Sequence, residues 1–254
     1  MRRNVVLILS AALAGLSSCT PPPRVVAPPP IPGAAGVLAR AIGQAGGAEA
    51  LERARALSWK GEATVRAGGR TVRIEGVWAV QPPDTAVVST WEEGRGRATE
   101  RSLVYAAPRG WIVSGGRFQP MPAAMLANER DEFFLYQVMR LVPLRAPGVT
   151  LAEIPPDSAG QAGIRAMVPG RPPVELYVDA TGRLAHVRMP VRDPAGGAAP
   201  VTQDVWLQGA AEEDDVVWPT SMRITLNGAP YFDMEIHDLE TMERLEDPRL
   251  GGPR

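Results

Sequence analysis

The amino-acid sequence predicts a mainly β protein of the α+β class, built on an antiparallel meander of about eleven strands. From Trp59 onward, apolar and polar residues alternate with a period of two, which is typical of strands that bury one face. Turn-forming pairs, such as Gly68-Gly69 and Asn227-Gly228, separate successive runs as in hairpins. Helical spacing occurs in only two segments, residues 37–57 and 121–141.

The N-terminus has the layout of a secretory signal. Residues 1–4 are short and basic, and residues 5–16 (VVLILSAALAGL) are apolar but fall short of the roughly 20 residues that cross a bilayer. Small residues follow, so we predict that residues 1–18 are a signal peptide. Cys19 is the only cysteine, and therefore no intramolecular disulfide can form.

The segment Leu16-Ser17-Ser18-Cys19 resembles the lipobox of bacterial lipoproteins. The resemblance implies that Cys19 is acylated and that the mature protein is anchored in a membrane by several acyl chains, which bind more firmly than one. Thr20, rather than aspartate, follows the cysteine, which favours the outer membrane, facing the periplasm. An ordinary cleaved signal and a buried free thiol remain the alternatives.

Residues 19–36 are rich in proline, which favours polyproline II, so we predict a tether between the anchor and the domain. Residues 37–57 are predicted to form two short helices separated at Gly46-Gly47. In residues 121–141, Pro122 marks a helix start and Pro143 a stop, and Phe133-Phe134 makes this the most apolar helix.

The strands fill the remaining chain up to a Pro/Gly-rich tail at residues 246–254, which is predicted to be flexible. The predicted strands are residues 59–65, 72–78, 85–91, 98–106, 111–114, 150–154, 163–168, 174–179, 183–190, 201–208, 216–226 and 231–239.

Three segments carry a resemblance to a known superfamily. They are AIGQAGGAEALERARALSWKGEATV (residues 41–65), ELYVDATGRLAHVRMP (residues 175–190) and VWLQGAAEEDDVVWPTSMRITLNG (residues 205–228). With the layout of helices and strands, they resemble LolA/LolB-like domains, the periplasmic carriers and receptors of lipoproteins. The resemblance covers residues 37–245 and implies an incomplete antiparallel β-barrel covered by a few helices.

Such a fold implies a cleft that binds the acyl chains of lipids or lipoproteins under a movable helical lid. Phe133 and Phe134 are the lid candidates. The candidates for the cleft lining are Trp59, Val65, Ile74, Trp78, Trp91, Leu103, Trp111, Leu176, Val178, Ile224, Leu226, Met234 and Ile236. For each of these residues taken alone, ordinary core is the more common role, because any β domain has one apolar face.

Other kinds of site have little support in the sequence. His186 and His237 are isolated, no zinc-protease, hydrolase or phosphate-loop motif is present, and we expect no cofactor, no metal and no catalysis. The acidic run at residues 212–215 is predicted to be a solvated turn. Basic residues are scattered among acidic ones at a net charge of −1, so no nucleic-acid partner is expected.

Two hypotheses about function remain. The protein is either a lipid- or lipoprotein-binding carrier or receptor, or a structural lipoprotein with a filled barrel that binds an outer-membrane or periplasmic protein partner on its outer surface. An exposed apolar strip on the outer face would favour the second hypothesis.

Overall fold

The computed structural model describes residues 33–253. The predicted signal peptide, Cys19 and most of the predicted tether lie outside the described residues. The helices are α1 (Gly33–Gln44), α2 (Ala48–Arg53) and α3 (Ala123–Met139). The strands are β1 (Ala56–Ala67), β2 (Arg70–Gln81), β3 (Thr85–Glu92), β4 (Arg101–Ala106), β5 (Arg109–Ser114), β6 (Arg117–Pro120), β7 (Thr150–Ile154), β8 (Ala162–Met167), β9 (Val174–Val178), β10 (Leu184–Val191), β11 (Val201–Gln208), β12 (Ala211–Glu213), β13 (Val216–Trp218), β14 (Ser221–Leu226) and β15 (Ala229–Met242).

Thirteen strands form one antiparallel sheet in the order β6-β5-β4-β3-β2-β1-β15-β14-β11-β10-β9-β8-β7. The two end strands, β6 and β7, do not pair with each other, so the barrel is open, as predicted. The last strand, β15, pairs with β1 and joins two meanders into one sheet. The remaining strands, β12 and β13, pair separately.

The fifteen strands exceed the eleven to twelve that the sequence predicts, for two reasons. The short strands β6 and β12 are not among the predicted ones. The run predicted at residues 216–226 is split at Pro219, which has no N–H to donate to a ladder. Both hairpin predictions are confirmed, because β1 and β2 pair on either side of Gly68-Gly69, and β14 and β15 pair on either side of Asn227-Gly228.

The first two helices are separated at Gly46-Gly47, as predicted, and α1 begins at Gly33, four residues before the predicted start. Gly46 has a φ of +109°, and a Cβ there would lie 1.8 Å from the carbonyl oxygen of Asp215. The break therefore allows a close approach between the helices and the acidic turn, where the N–H of Val217 donates to the carbonyl of Ala45 at 3.1 Å.

The sheet has two apolar faces of unequal size. The inner face, defined as the face covered by α1 and α3, carries the large core cluster. The outer face carries a small cluster that includes Val87, Val104, Trp111 and Leu245.

The C-terminal segment packs on this outer face, which corrects the prediction of a flexible tail at residues 246–254. The N–H of Leu245 donates to the Gln81 side chain at 2.7 Å. The Arg249 guanidinium donates to Ser89 and Ser102 at 3.0 and 2.8 Å, and Gly252 is buried against Trp111. Up to Pro253, the tail is part of the fold.

Two glycines face each other on the inner face and make room for one indole. Gly61 pairs with Gly76, and a Cβ on either would lie about 3 Å from the ring of Trp78. A Cβ on Gly76 would also lie 2.6 Å from the backbone oxygen of Ser89, which cannot move without distorting β3.

We therefore expect Gly76→Ala to lower the free energy of unfolding by about 1–3 kcal/mol, since it overpacks a closed site. Urea denaturation measures this change. Gly43→Ala is the matched control, because nothing lies within 4 Å of that helical position, and it should be neutral or stabilising. Equal stability of Gly76→Ala and the parent protein would contradict the assignment of Gly76 to a tightly packed position on the inner face.

Candidate functional site

Helix α3 covers the inner face, and aromatic side chains join the helix to the sheet. Tyr136 of α3 meets Trp59 of β1 at 5.3 Å between ring centroids, and Trp59 meets Trp218 at 5.8 Å. Phe133 of α3 meets Tyr105 of β4 at 5.4 Å. These contacts place the apolar side of α3 on the sheet, as the lid prediction requires.

Helix α3 is held by polar contacts at its C-terminal end and near its middle. At the C-terminal end, buried Arg140 donates to the carbonyls of Leu51 and Arg55, and burial lowers the pKa of Arg140. Near the middle, Asp131 pairs with Arg192 at 3.3 Å and with Arg171 at 3.7 Å.

Most of the predicted lining residues lie on the inner face. Those buried in its core cluster are Trp59, Trp78, Phe133, Phe134, Leu176, Val178, Ile224, Met234 and Ile236. Ile74, Leu103 and Leu226 are half-buried against this cluster. Val65 is half-buried near the far end of β1, where it pairs with Val72 and Phe232.

Two predicted lining residues lie on the outer face, so the prediction is wrong for them. Trp91 pairs across the strands with Glu75, and its indole N–H donates to the Glu75 carboxylate at 2.9 Å. Trp111 belongs to the outer cluster with Val104 and Leu245. Because side chains alternate between faces, a phase error of one residue moves a side chain to the opposite face.

Open volume borders α3 on two of its faces. A cavity of about 550 Å³ is lined by Asp84, Tyr105, Leu126 and Arg130, among others. A cavity of about 1050 Å³ lies between α3, the loop after β10 and the start of β15. The inner face is thus packed directly beneath α3 and open along the flanks of the helix.

The larger cavity contains two acidic side chains that sequence analysis missed. Glu129 and Glu132 of α3 line it together with Tyr231 of β15. Burial raises the pKa of Glu129 to about 8, with a further rise from Glu132, and burial raises the pKa of Glu132 to about 7. Burial and then the two carboxylates also raise the pKa of Tyr231 to about 12. The sequence signal that could have identified them is the spacing of residues 129, 132 and 136, which places all three on one face of helix α3.

These pKa shifts predict how stability depends on pH. From the ordinary value of 4.5 up to about pH 8, the folded protein binds more protons than the unfolded chain. The free energy of unfolding should therefore fall as pH rises through this window. Because the cavity is open to water, Glu132→Gln should raise the free energy of unfolding by only about 1 kcal/mol at pH 8.5.

Chemical denaturation at about pH 4 and pH 8.5 measures this effect. The gain should vanish at the lower pH, where both carboxyls are protonated in either state. Glu153→Gln, at an exposed position of β7, is the control and should leave the free energy of unfolding unchanged at both pH values. A gain of the same size at both pH values would show that charge is not its cause.

The outer face carries a separate polar cluster centred on His186, which is buried between Tyr177 and Trp206 in a stack. Its Nε2 lies 2.8 Å from Asp204, and its Nδ1 lies 3.9 Å from Asp157. Burial lowers the pKa of His186. Across residues 33–253, no group of three or more metal-ligating side chains is present.

The acidic run at residues 212–215 lies in the hairpin between β12 and β13, consistent with a turn. Asp215 pairs with Arg53 at 3.3 Å, and Asp214 accepts a hydrogen bond from Thr241 at 2.6 Å. The other histidine, His237, is exposed on β15. None of these groups faces the cavities beside α3.

Comparison with solved structures identifies the fold. The chain is similar to a LolA superfamily protein from Nitrosomonas europaea, with a TM-score of 0.54, 9% identity, and coverage of 87% of this chain and 98% of that one. It is similar to an outer membrane lipoprotein-sorting protein domain from Vibrio parahaemolyticus (TM-score 0.51, 13% identity, coverage 84% and 95%). It is also similar to a DUF1329 family protein from Desulfovibrio piger (TM-score 0.53, 7% identity, coverage 85% and 96%).

No protein-family model matches the sequence, and no curated protein matches it. The structural neighbours nevertheless confirm the predicted fold, the open LolA-like barrel with its covering helices. None of the helices within residues 33–253 has the length and apolarity that a membrane crossing needs.

Proposed function

We propose that this protein binds the acyl chains of lipids or lipoproteins between α3 and the inner face, as a carrier or receptor without catalytic activity. One observation carries the proposal: α3 packs its apolar side on an open barrel, and cavities of about 550 and 1050 Å³ flank it. Their volumes are in or near the range of small-molecule sites, about 300–1000 Å³.

The energetics favour an acyl ligand. Burying about fourteen methylene groups contributes on the order of 10 kcal/mol before entropic costs. Displacing α3 completely would expose side chains such as Phe133 and Phe134, whose burial contributes about 1.5–3 kcal/mol each, and would break aromatic contacts worth about 0.5–1.5 kcal/mol per pair. A chain that enters from either flank can therefore replace part of the lid packing at the inner face.

The proposed location is the periplasmic side of the outer membrane, with acylated Cys19 as the anchor and the proline-rich tether as spacer. The lipobox-like segment at residues 16–19 supports this proposal. Placing the domain close to a membrane would give it direct access to lipid or lipoprotein cargo. A role in outer-membrane lipoprotein or lipid trafficking fits both features.

A fluorescent acyl probe tests the binding proposal on the chain from residue 19 with Cys19→Ser. Ala127 borders both cavities, so Ala127→Trp should fill them and lower the probe affinity at least tenfold. Ala180→Trp, in the exposed turn between β9 and β10, is the matched control and should bind like the parent protein. Absence of probe binding by the parent protein would refute the proposal.

The alternative, a filled barrel whose outer surface binds a protein partner, draws on the tight packing directly beneath α3. In the described part of the chain, however, the exposed large apolar side chains are Val72 and Met167, which lie on different strands. They do not form a strip of the kind that a protein partner would cover. Acyl binding is therefore the better supported function.

A further inference from the structure

The larger cavity beside α3 has a polar wall that an acyl chain alone does not explain. Glu129 and Glu132 face it from the helix, and Tyr231 faces it from β15. Within residues 33–253 neither carboxylate makes an ion pair or a hydrogen bond to a side chain. Both side chains are half-buried, and a carboxylate partly removed from water without an ion-pair partner is destabilised in its ionised form, so a cationic ligand at this wall would be stabilising.

A second unpartnered group lies on the inner face nearby. Gln203 of β11 is fully buried, and neither its amide oxygen nor its amide nitrogen has a partner among the described residues. It pairs with Met189 of β10, the strand on which α3 packs. The next inward pair along these strands is Val191 and Val201, and Val191 borders the cavity. The Gln203 side chain thus lies on the inner face, one inward pair away from the cavity wall at Val191.

The rim of the same cavity is basic. Arg130, Arg171 and Arg192 line it, and Asp131 holds the last two in place at 3.7 and 3.3 Å. Arg130 is exposed and makes no ion pair within the described chain. Arg130 and Asp131 lie between the two glutamates in sequence, so Arg130 falls within about one helical turn, roughly 5 Å, of both, and Arg171 and Arg192 contact this part of α3 through Asp131.

We propose that this cavity binds the headgroup of a zwitterionic phospholipid, with its primary ammonium at Glu129 and Glu132 and its phosphate at the arginine rim. This inference rests on the proposed function and names the class of lipid that the site takes.

The chemistry of the two charged groups fits the two sets of side chains. A primary ammonium has three donors and can bridge both carboxylates, and its positive charge would favour their ionised form. Guanidinium groups match phosphate oxygens in bidentate geometry. The Gln203 amide can donate to an ester carbonyl below the headgroup. A single ligand would thus give Glu129, Glu132 and Arg130 the charged partner that they lack among residues 33–253, whereas Arg171 and Arg192 are already paired with Asp131.

Calorimetric titration with two short-chain lipids of identical tails tests the proposal, on the chain from residue 19 with Cys19→Ser. Diheptanoyl phosphatidylethanolamine should bind at least tenfold more tightly than diheptanoyl phosphatidylglycerol. Glu129→Gln with Glu132→Gln should remove this preference and leave phosphatidylglycerol binding unchanged or stronger. Glu153→Gln with Glu240→Gln, both exposed and outside the cavity, should preserve it.

The outcomes separate this proposal from the one on which it rests. Equal affinity of the parent protein for the two lipids would overturn the headgroup assignment and leave acyl binding intact. Binding of neither lipid would overturn both. Phosphoethanolamine without tails should bind at least a hundredfold more weakly, and comparable affinity would refute a lipid ligand. If the double variant fails to fold, Arg192→Gln tests the phosphate side of the site and should lower the affinity for both lipids about equally.

Discussion

Trp59→Ala is expected to lower the free energy of unfolding by about 3–5 kcal/mol, the range for removing a large buried aromatic side chain. Trp59 is fully buried and lies at the centre of the contact between α3 and the sheet, against Tyr136 and Trp218. Truncation would leave a cavity that β1 and α3 cannot readily fill, because β1 is paired on both sides and Arg140, after α3, is held by the carbonyls of Leu51 and Arg55.

Urea denaturation of the parent protein and the variant measures this effect. Trp59→Phe is the matched control, since it keeps most of the ring packing and removes an indole N–H that has no partner in the structure. It should cost less than about 1.5 kcal/mol. A small effect of Trp59→Ala would mean that α3 is only loosely held on the inner face.

Phe133→Ala is expected to have a comparable effect on stability, about 3–5 kcal/mol, and a distinctive effect on binding. Phe133 of α3 is buried, and its ring centroid lies 5.4 Å from that of Tyr105 and 6.3 Å from that of Tyr136. If α3 is a lid, these contacts compete with the ligand. Their loss should speed association of the acyl probe several-fold and increase amide hydrogen exchange in α3.

Stopped-flow fluorescence and hydrogen exchange measure these two changes. Val104→Ala is the matched control, because Val104 is fully buried on the outer face and its truncation should destabilise the fold without touching the lid. Faster probe association in both variants would show that a general loosening of the fold, and not release of α3, causes the effect. An unchanged rate in Phe133→Ala would show that α3 does not gate the cavities.

The predictions from sequence succeeded where the physical cause is local. Period-two alternation located most strands, and glycine-containing pairs located the hairpins at Gly68-Gly69 and Asn227-Gly228, since both depend on neighbouring residues alone. Pro122 and Pro143 bracket α3, which runs from Ala123 to Met139. Phe133 and Phe134, the lid candidates, are both buried.

The predictions failed where distant segments decide the outcome. The tail at residues 246–253 is polar and rich in glycine and proline, yet Arg249 reaches Ser89 and Ser102 and orders it on the outer face. Trp91 and Trp111 are as apolar as the true inner residues, and only strand pairing shows which face they occupy. Glu129 and Glu132 carry no motif in the sequence, and only the packing of α3 beside β15 and the loop after β10 brings them to one cavity.

The sequence by itself determined the elements of this protein: short alternating strands, tight glycine turns and an apolar helix bounded by prolines. Only the tertiary structure decided that β15 pairs with β1, which joins two meanders into one open sheet, and that α3 lies over the inner face with an acidic pair beside a cavity. The reason is that turn and strand preferences act over a few residues. The pairing of β1 with β15 instead depends on closing a loop of most of the chain, whose entropic cost is offset only when the whole core assembles.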